Sequence, residues 1–461
     1  MYKIFSLLMS LVCAVMLALP ASAATRQPVS EEYVDKYFTT VAAASCLGVY
    51  LPENSTEFNY LRSYGWHIEP KKMSDGKVET NFAIAYNYFP ALEKKIFLVT
   101  FRGSAGKKDW AINLKTKRVN FGGSTLAQMQ KIAAEPLYKD RPAVHEGFNT
   151  YVDTVLRTSV LDEQGNFKGV FKEVAENPNA VLLLSGHSLG GAAAALLGER
   201  LLCLGLPTER LYVVTFGAPA VGNEQFVQQY GDRLKLLRIT NTADPIPGSL
   251  QTFFGSYKQF GQHVKYSLSP KISSVQHAMS MYFDYSISDF YREYDRQVAL
   301  DRIYPVSDSK ITKGVPVVAL WIQESDKLNQ VATITDLKRF VTDEYKKMLP
   351  SYVVMHKALD KEAYTQEDIV QQSRFAGADY ILLCGIDGYR QQQGDDWYLT
   401  LEQALFDREG RMLNISSLGR KVAPAVGNIQ AAGENLMAAR KELQEHLSFV
   451  TTRFEPQLVQ E

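Results

Sequence analysis

Between about residues 30 and 286, short apolar runs alternate with longer segments of helical period. Residues 96–101, 180–185, 211–216 and 234–240 are near-continuous apolar runs, the pattern of strands buried on both faces, and 264–268 reads as a shorter strand. Residues 149–160 are amphipathic at helical spacing, and the alanine-rich stretch 192–204 reads as a helix. Strand, helix, strand, repeated, predicts an α/β fold with a mostly parallel sheet covered on both sides.

The character changes at Ile303-Tyr304-Pro305-Val306-Ser307-Asp308-Ser309, where a proline and polar turn formers predict a linker over 303–314. Beyond it come a strand over 316–322, a helix over 336–348, a strand over 352–356 and another helix ahead of Gly377. Strands over 380–386, 397–406 and 411–418 follow, the last two joined by a turn at Asp407-Arg408-Glu409-Gly410, and a charged amphipathic helix over 428–449 closes the chain. A chain of 461 residues exceeds what one core usually organises. The expected division is an α/β domain over 24–302 and a smaller C-terminal α+β domain over 315–461. Ahead of both, Lys3, the apolar stretch 4–19, Pro20 and Ala21-Ser22-Ala23 have the form of a signal peptide, residues 1–23, cleaved after Ala23. Val12 before Cys13 is branched where a lipoprotein signal takes a small residue. The expectation is export to a periplasm or the exterior.

Composition narrows the function. Lys+Arg and Asp+Glu are both 50, so the basic surplus of a dedicated nucleic-acid protein is missing and no nucleic-acid partner is expected. After the signal only Cys46, Cys203 and Cys384 remain, an odd set that allows at most one disulfide. No CxxC or HExxH spacing occurs, so neither a metal nor an organic cofactor is expected.

The main chemical signal is Gly186-His187-Ser188-Leu189-Gly190-Gly191, which an apolar strand enters and an alanine-rich helix leaves. G-x-S-x-G in that setting is a nucleophile elbow: the serine is held in strained backbone so that its oxygen projects from the sheet, and small neighbours let the chain reverse. His187 is read as structural, because the turn aims it away from its neighbour.

With further motifs in order, the sequence resembles the class 3, or fungal-type, lipases. Phe101-Arg102-Gly103-Ser104 with Asp109-Trp110, Val144-His145-Glu146-Gly147-Phe148, the elbow, Thr215–Asn223 and Asn241–Pro247 each resemble an element of that family, together covering about residues 30–286. The second domain lies outside the resemblance. The resemblance implies an α/β-hydrolase fold and a Ser-Asp-His order along the chain. Asp244, at the C-terminal edge of a strand, is favoured over Asp232 at the opposite edge. His277 follows the 264–268 strand on the catalytic side and is favoured over His263, which precedes it. The segment His277–Phe283 resembles the family's region after its histidine, with a longer spacing to the tyrosine. Leu189, through its amide, and Ser104, through amide and hydroxyl, are the expected oxyanion donors.

The substrate expected is a carboxylic ester of lipid, triacylglycerol or phospholipid, met at a membrane or lipid interface. Gly122-Gly123, Ser124 or Thr125 as cap, and Leu126, Met129 and Ile132 predict a short helix within 122–140, either a lid over Ser188 or an ungated surface helix. The rival class is an envelope-binding protein on an inactive lipase scaffold, its C-terminal domain docking an envelope partner. The retention of Ser188, Asp244, His277 and Ser104 together weighs against it.

Overall fold

Each apolar run becomes a strand because alternate side chains find a different apolar layer on each side. The computed structural model describes residues 28–451 apart from 52–54, 64, 75–78, 90–91, 104–116, 249–255, 268–276, 331–335, 357–364, 391–396 and 423–425. The expected signal peptide therefore lies outside the described residues.

The strands of the first part are β1 (His67–Ser74), β2 (Glu79–Phe89), β3 (Lys94–Phe101), a small separate pair β4 (Arg118–Asn120) and β5 (Ala143–His145), β6 (Ala180–His187), β7 (Leu211–Phe216), β8 (Lys235–Asn241) and β9 (Gln262–Tyr266). The main sheet runs β1-β2-β3-β6-β7-β8-β9. β3 and β6 to β9 are parallel, and β1 and β2 add an antiparallel flank. That is the mostly parallel sheet of an α/β-hydrolase. Its helices are α1 (Glu31–Gly48), α2 (Thr56–Ser63), α3 (Leu126–Ala134), α4 (Glu146–Val155), α5 (Gly169–Glu176), α6 (Leu189–Cys203), α7 (Glu224–Tyr230) and α8 (Met279–Ala299).

β6 shows why its run is apolar throughout. Val181 and Leu183 join the layer of α1 and α8, while Leu182 and Leu184 join that of α4 and α6. Burying each such side chain contributes roughly 1.5–3 kcal/mol. The 149–160 helix is divided: α4 ends at Val155 and a π-helical turn takes Leu156–Val160. β9 starts earlier than its pattern suggested and includes His263, paired with Arg238 of β8.

The second part holds β10 (Ser309–Lys310), β11 (Val318–Glu324), β12 (Tyr352–Met355), β13 (Tyr380–Arg390), β14 (Trp397–Asp407) and β15 (Met412–Val422), with α9 (Leu337–Met348), α10 (Gln366–Phe375) and α11 (Asn428–His446). They form a mixed sheet in the order β10-β12-β11-β13-β14-β15. Within the expected linker, Ser309 and Lys310 pair with β12 as a short edge strand. The two sheets are not packed independently, since one cluster of buried side chains runs from Leu98 and Leu183 through Tyr60 and Phe283 to Phe340, Leu401 and Leu436. Among the described residues no helix is long and apolar enough to cross a membrane.

Candidate active site

Ser188 stands alone between β6 and α6, with φ 56° and ψ −125°, a region that non-glycine residues rarely occupy. The surrounding glycines make the turn possible. A Cβ on Gly186 would lie 2.2 Å from the Gly190 carbonyl, and one on Gly190 would lie 2.2 Å from the Phe101 oxygen. The Ser188 amide donates to Phe216 O (2.9 Å), tying the turn to β7. Ser188 is 4% exposed, at the N-terminus of α6, where Leu189 opens the helix. The dipole of that helix favours negative charge at this end.

Asp244 follows β8 and its side chain is fully buried. Oδ2 lies 2.7 Å from His277 Nδ1 and also accepts from the Tyr282 hydroxyl at 2.7 Å. Oδ1 accepts from the Ile246 amide (2.9 Å). Burial and the Asp244 charge push the Tyr282 hydroxyl well above its ordinary value, so it remains a donor. His277 Nε2 is buried and has no hydrogen-bond partner among the described residues. Gly217 makes room for the pair: its φ is +55°, and a Cβ there would lie 2.7 Å from Asp244 Oδ2 and 3.0 Å from the His277 ring. Neither Tyr282 nor Gly217 stood out from the sequence as a site residue, although both lie in segments that carry the family resemblance.

His187 is nearer the histidine than its reading as a residue turned away implied. Its ring centroid is 4.4 Å from that of His277, its Nε2 is 2.9 Å from the His277 carbonyl and its Nδ1 is 3.1 Å from the Tyr50 hydroxyl. A carbonyl only accepts, so Nε2 carries the proton and Tyr50 donates to Nδ1. Tyr50 in turn accepts from the Gly103 amide (2.9 Å). Burial and the neighbouring His277 hold His187 well below the usual imidazole range, hence neutral. The chain Gly103–Tyr50–His187–His277 thus joins the end of β3, the elbow and the histidine loop.

Other sequence candidates fall elsewhere. His263 Nε2 is 2.7 Å from Thr240 Oγ1, and Asp232 is exposed ahead of β8, at the end of that strand opposite Asp244. His145 caps α4, its Nδ1 accepting from the Gly147 and Phe148 amides. Ser104, Asp109 and Trp110 lie outside the described residues. The expected helix within 122–140 is α3, capped by Thr125. It does not cover Ser188. Met129 is buried in the core, and the Gly122 carbonyl accepts from buried Arg200 (2.8 Å), near the end of α6 remote from the serine. The apolar stripe finds its partners in the core, so in this structure α3 is a surface helix.

The fold and the elbow define the class, an α/β-hydrolase. Residues 98–253 match the family described as lipase (class 3). The likeness to that family is carried by this segment, which is less than half of the chain. It is 27% identical over 143 residues to a Saccharomyces cerevisiae protein named putative lipase LIH1, covering 31% of this chain and 40% of that one. It is 39% identical over 74 residues to the secreted mono- and diacylglycerol lipase A of Penicillium cyclopium, 16% of this chain and 24% of that one. The chain thus spans less than half the length of either relative. A solved Rhizomucor miehei triacylglyceride lipase is 21% identical with a TM-score of 0.39, covering 52% of this chain and 82% of that one.

Proposed function

We propose that this chain is an exported serine hydrolase of lipid carboxylic esters, with Ser188 as nucleophile, His277 as base and Asp244 as the carboxylate that orients it. The observation that carries the reading is the His277 imidazole. One nitrogen is bound to Asp244 at 2.7 Å, while the other is buried without a partner among the described residues. Such an orphan costs about 1–3 kcal/mol and has no structural return, which suits an atom reserved for a proton.

The Ser188 hydroxyl attacks the ester carbonyl as His277 Nε2 takes its proton. The oxyanion is held by the Leu189 amide and by Ser104. Collapse expels the alcohol, protonated by His277, and leaves an acyl group on Ser188. Water, deprotonated by the same nitrogen, then releases the acid and restores the serine. The signal-like residues 1–23 support export to a periplasm or the exterior, as does the name of the Penicillium relative, a secreted lipase.

The test is hydrolysis of p-nitrophenyl esters of rising acyl length, wild type beside Ser188→Ala, without added metal. Turnover of long-chain esters that falls at least about 10⁴-fold in Ser188→Ala is expected. Folded wild type that turns over no ester, even with detergent or lipid present, overturns the reading and favours the binding-protein alternative.

A further inference from the structure

A sheet edge exposes unpaired backbone groups, and proteins that stay apart blunt it with charge, proline, brevity or bulges. Three of the four edges of the two main sheets are blunted in this way. β1 carries Glu69, Pro70, Lys71 and Lys72, β9 has five residues including Lys265, and β10 has two including Lys310. β15 is different. It has eleven residues, and among the described residues no strand pairs with its outer side. The one irregularity in its ladder lies at Leu413, and from Asn414 to Val422 it pairs regularly with β14. Within that run 414–419, Asn-Ile-Ser-Ser-Leu-Gly, holds no charge and no proline, and Ile415 is 66% exposed.

We propose that β15 is the edge through which two copies of this chain pair, antiparallel, about a two-fold axis at Ser417. The second copy is the fitting occupant because this strand is complementary to itself. In an antiparallel pair opposing residues share a face, so a perpendicular axis at Ser417 sets Ser416 against Leu418 and Ile415 against Gly419. Gly419 leaves open space: a Cβ there would meet only Thr400 Cγ2, at 3.7 Å. The exposed Ile415 side chain fills that space across the pair. The same register sets Arg420 against Asn414 and Lys421 against Leu413, so no like charges meet. Arg420 is also neutralised within its own chain by Glu434 (3.4 Å). Main-chain hydrogen bonds then join the two mixed sheets into one, on the part of the molecule remote in sequence from Ser188.

The test is sedimentation and light scattering of the protein as matured and purified from an expressing cell, with two variants at the axis. A concentration-dependent dimer is expected. Ser417→Lys, which sets two like charges across the axis on an exposed position, weakens it at least about tenfold with unchanged circular dichroism. Ser417→Cys gives a disulfide-linked dimer on mild oxidation that identically treated wild type does not. A wild type that stays monomeric at its highest soluble concentration overturns the proposal, as does a dimer that Ser417→Lys leaves intact or that Ser417→Cys fails to cross-link.

Discussion

Asp244 Oδ2 serves two donors at once, His277 and Tyr282. The tyrosine keeps the carboxylate from turning, and with it the imidazole plane, so in the proposed reaction it is a positioning residue. Tyr282→Phe removes that hydrogen bond, worth about 1–2 kcal/mol, together with the one the same hydroxyl accepts from the Asn241 amide (3.0 Å). Steady-state kinetics on a p-nitrophenyl ester should show kcat lowered about 5- to 30-fold, with KM nearly unchanged, because the lost contact bears on the proposed base and not on substrate. An unchanged kcat would contradict that role. The strained turn at Ser188 was legible because strand, glycines and helix surround it in sequence. Tyr282 was not, because its bond spans 38 positions and nothing local marks a tyrosine on a helix as a carboxylate's partner.

At the scale of elements, the joint between the two parts of the chain is a helix end. The N-cap of α11 is Gly427, which has no side chain to offer the first amides. Asp284 of α8 supplies the acceptors instead, taking the Asn428 amide and side chain and the Ile429 amide at 2.8–3.0 Å. Gly427 is small of necessity, since a Cβ there would lie 2.8 Å from Asp284 Oδ1. Asp284→Ala leaves several buried donors unpaired and should cost about 2–4 kcal/mol in urea unfolding. A loss below about 0.5 kcal/mol would mean that α11 is anchored by its apolar face alone. The pattern of α11 itself was readable from residue 428 onward, but a cap supplied from 144 positions away leaves no local trace.

Across the whole molecule, buried carboxyls set how stability depends on pH. Burial pushes Glu57 and Glu199 up to about 7 and Asp284 up to about 6. A carboxyl raised in the fold binds its proton more tightly there than when unfolded, so its contribution is full below its ordinary value and lost as pH rises through the folded one. For Glu199 that window runs from 4.5 to about 7. Arg233, 3.5 Å away, opposes the effect only in part, and neither Glu199 oxygen has a hydrogen bond among the described residues. Glu199→Gln should therefore stabilise the protein at pH 8, on the order of 1–3 kcal/mol, and change little at pH 4.5. A lower Tm at pH 8 would show that the Arg233 pair outweighs the burial. This scale was the least legible in the sequence. The double-sided strands announced the parallel sheet, but β1, with its Glu-Pro-Lys-Lys, shows no apolar face, and the shared core depends on contacts such as that of Tyr60 with Phe340, which crosses the expected linker.

The central claim is that Ser188 is a nucleophile activated by His277, and covalent labelling reads it most directly. The purified protein is treated with a fluorophosphonate probe and the adduct located by peptide mass spectrometry, with His277→Ala treated in parallel. A single adduct on Ser188 that forms at least about a hundredfold more slowly in His277→Ala is the result predicted. An adduct on another residue, or none on folded wild type, would contradict the account.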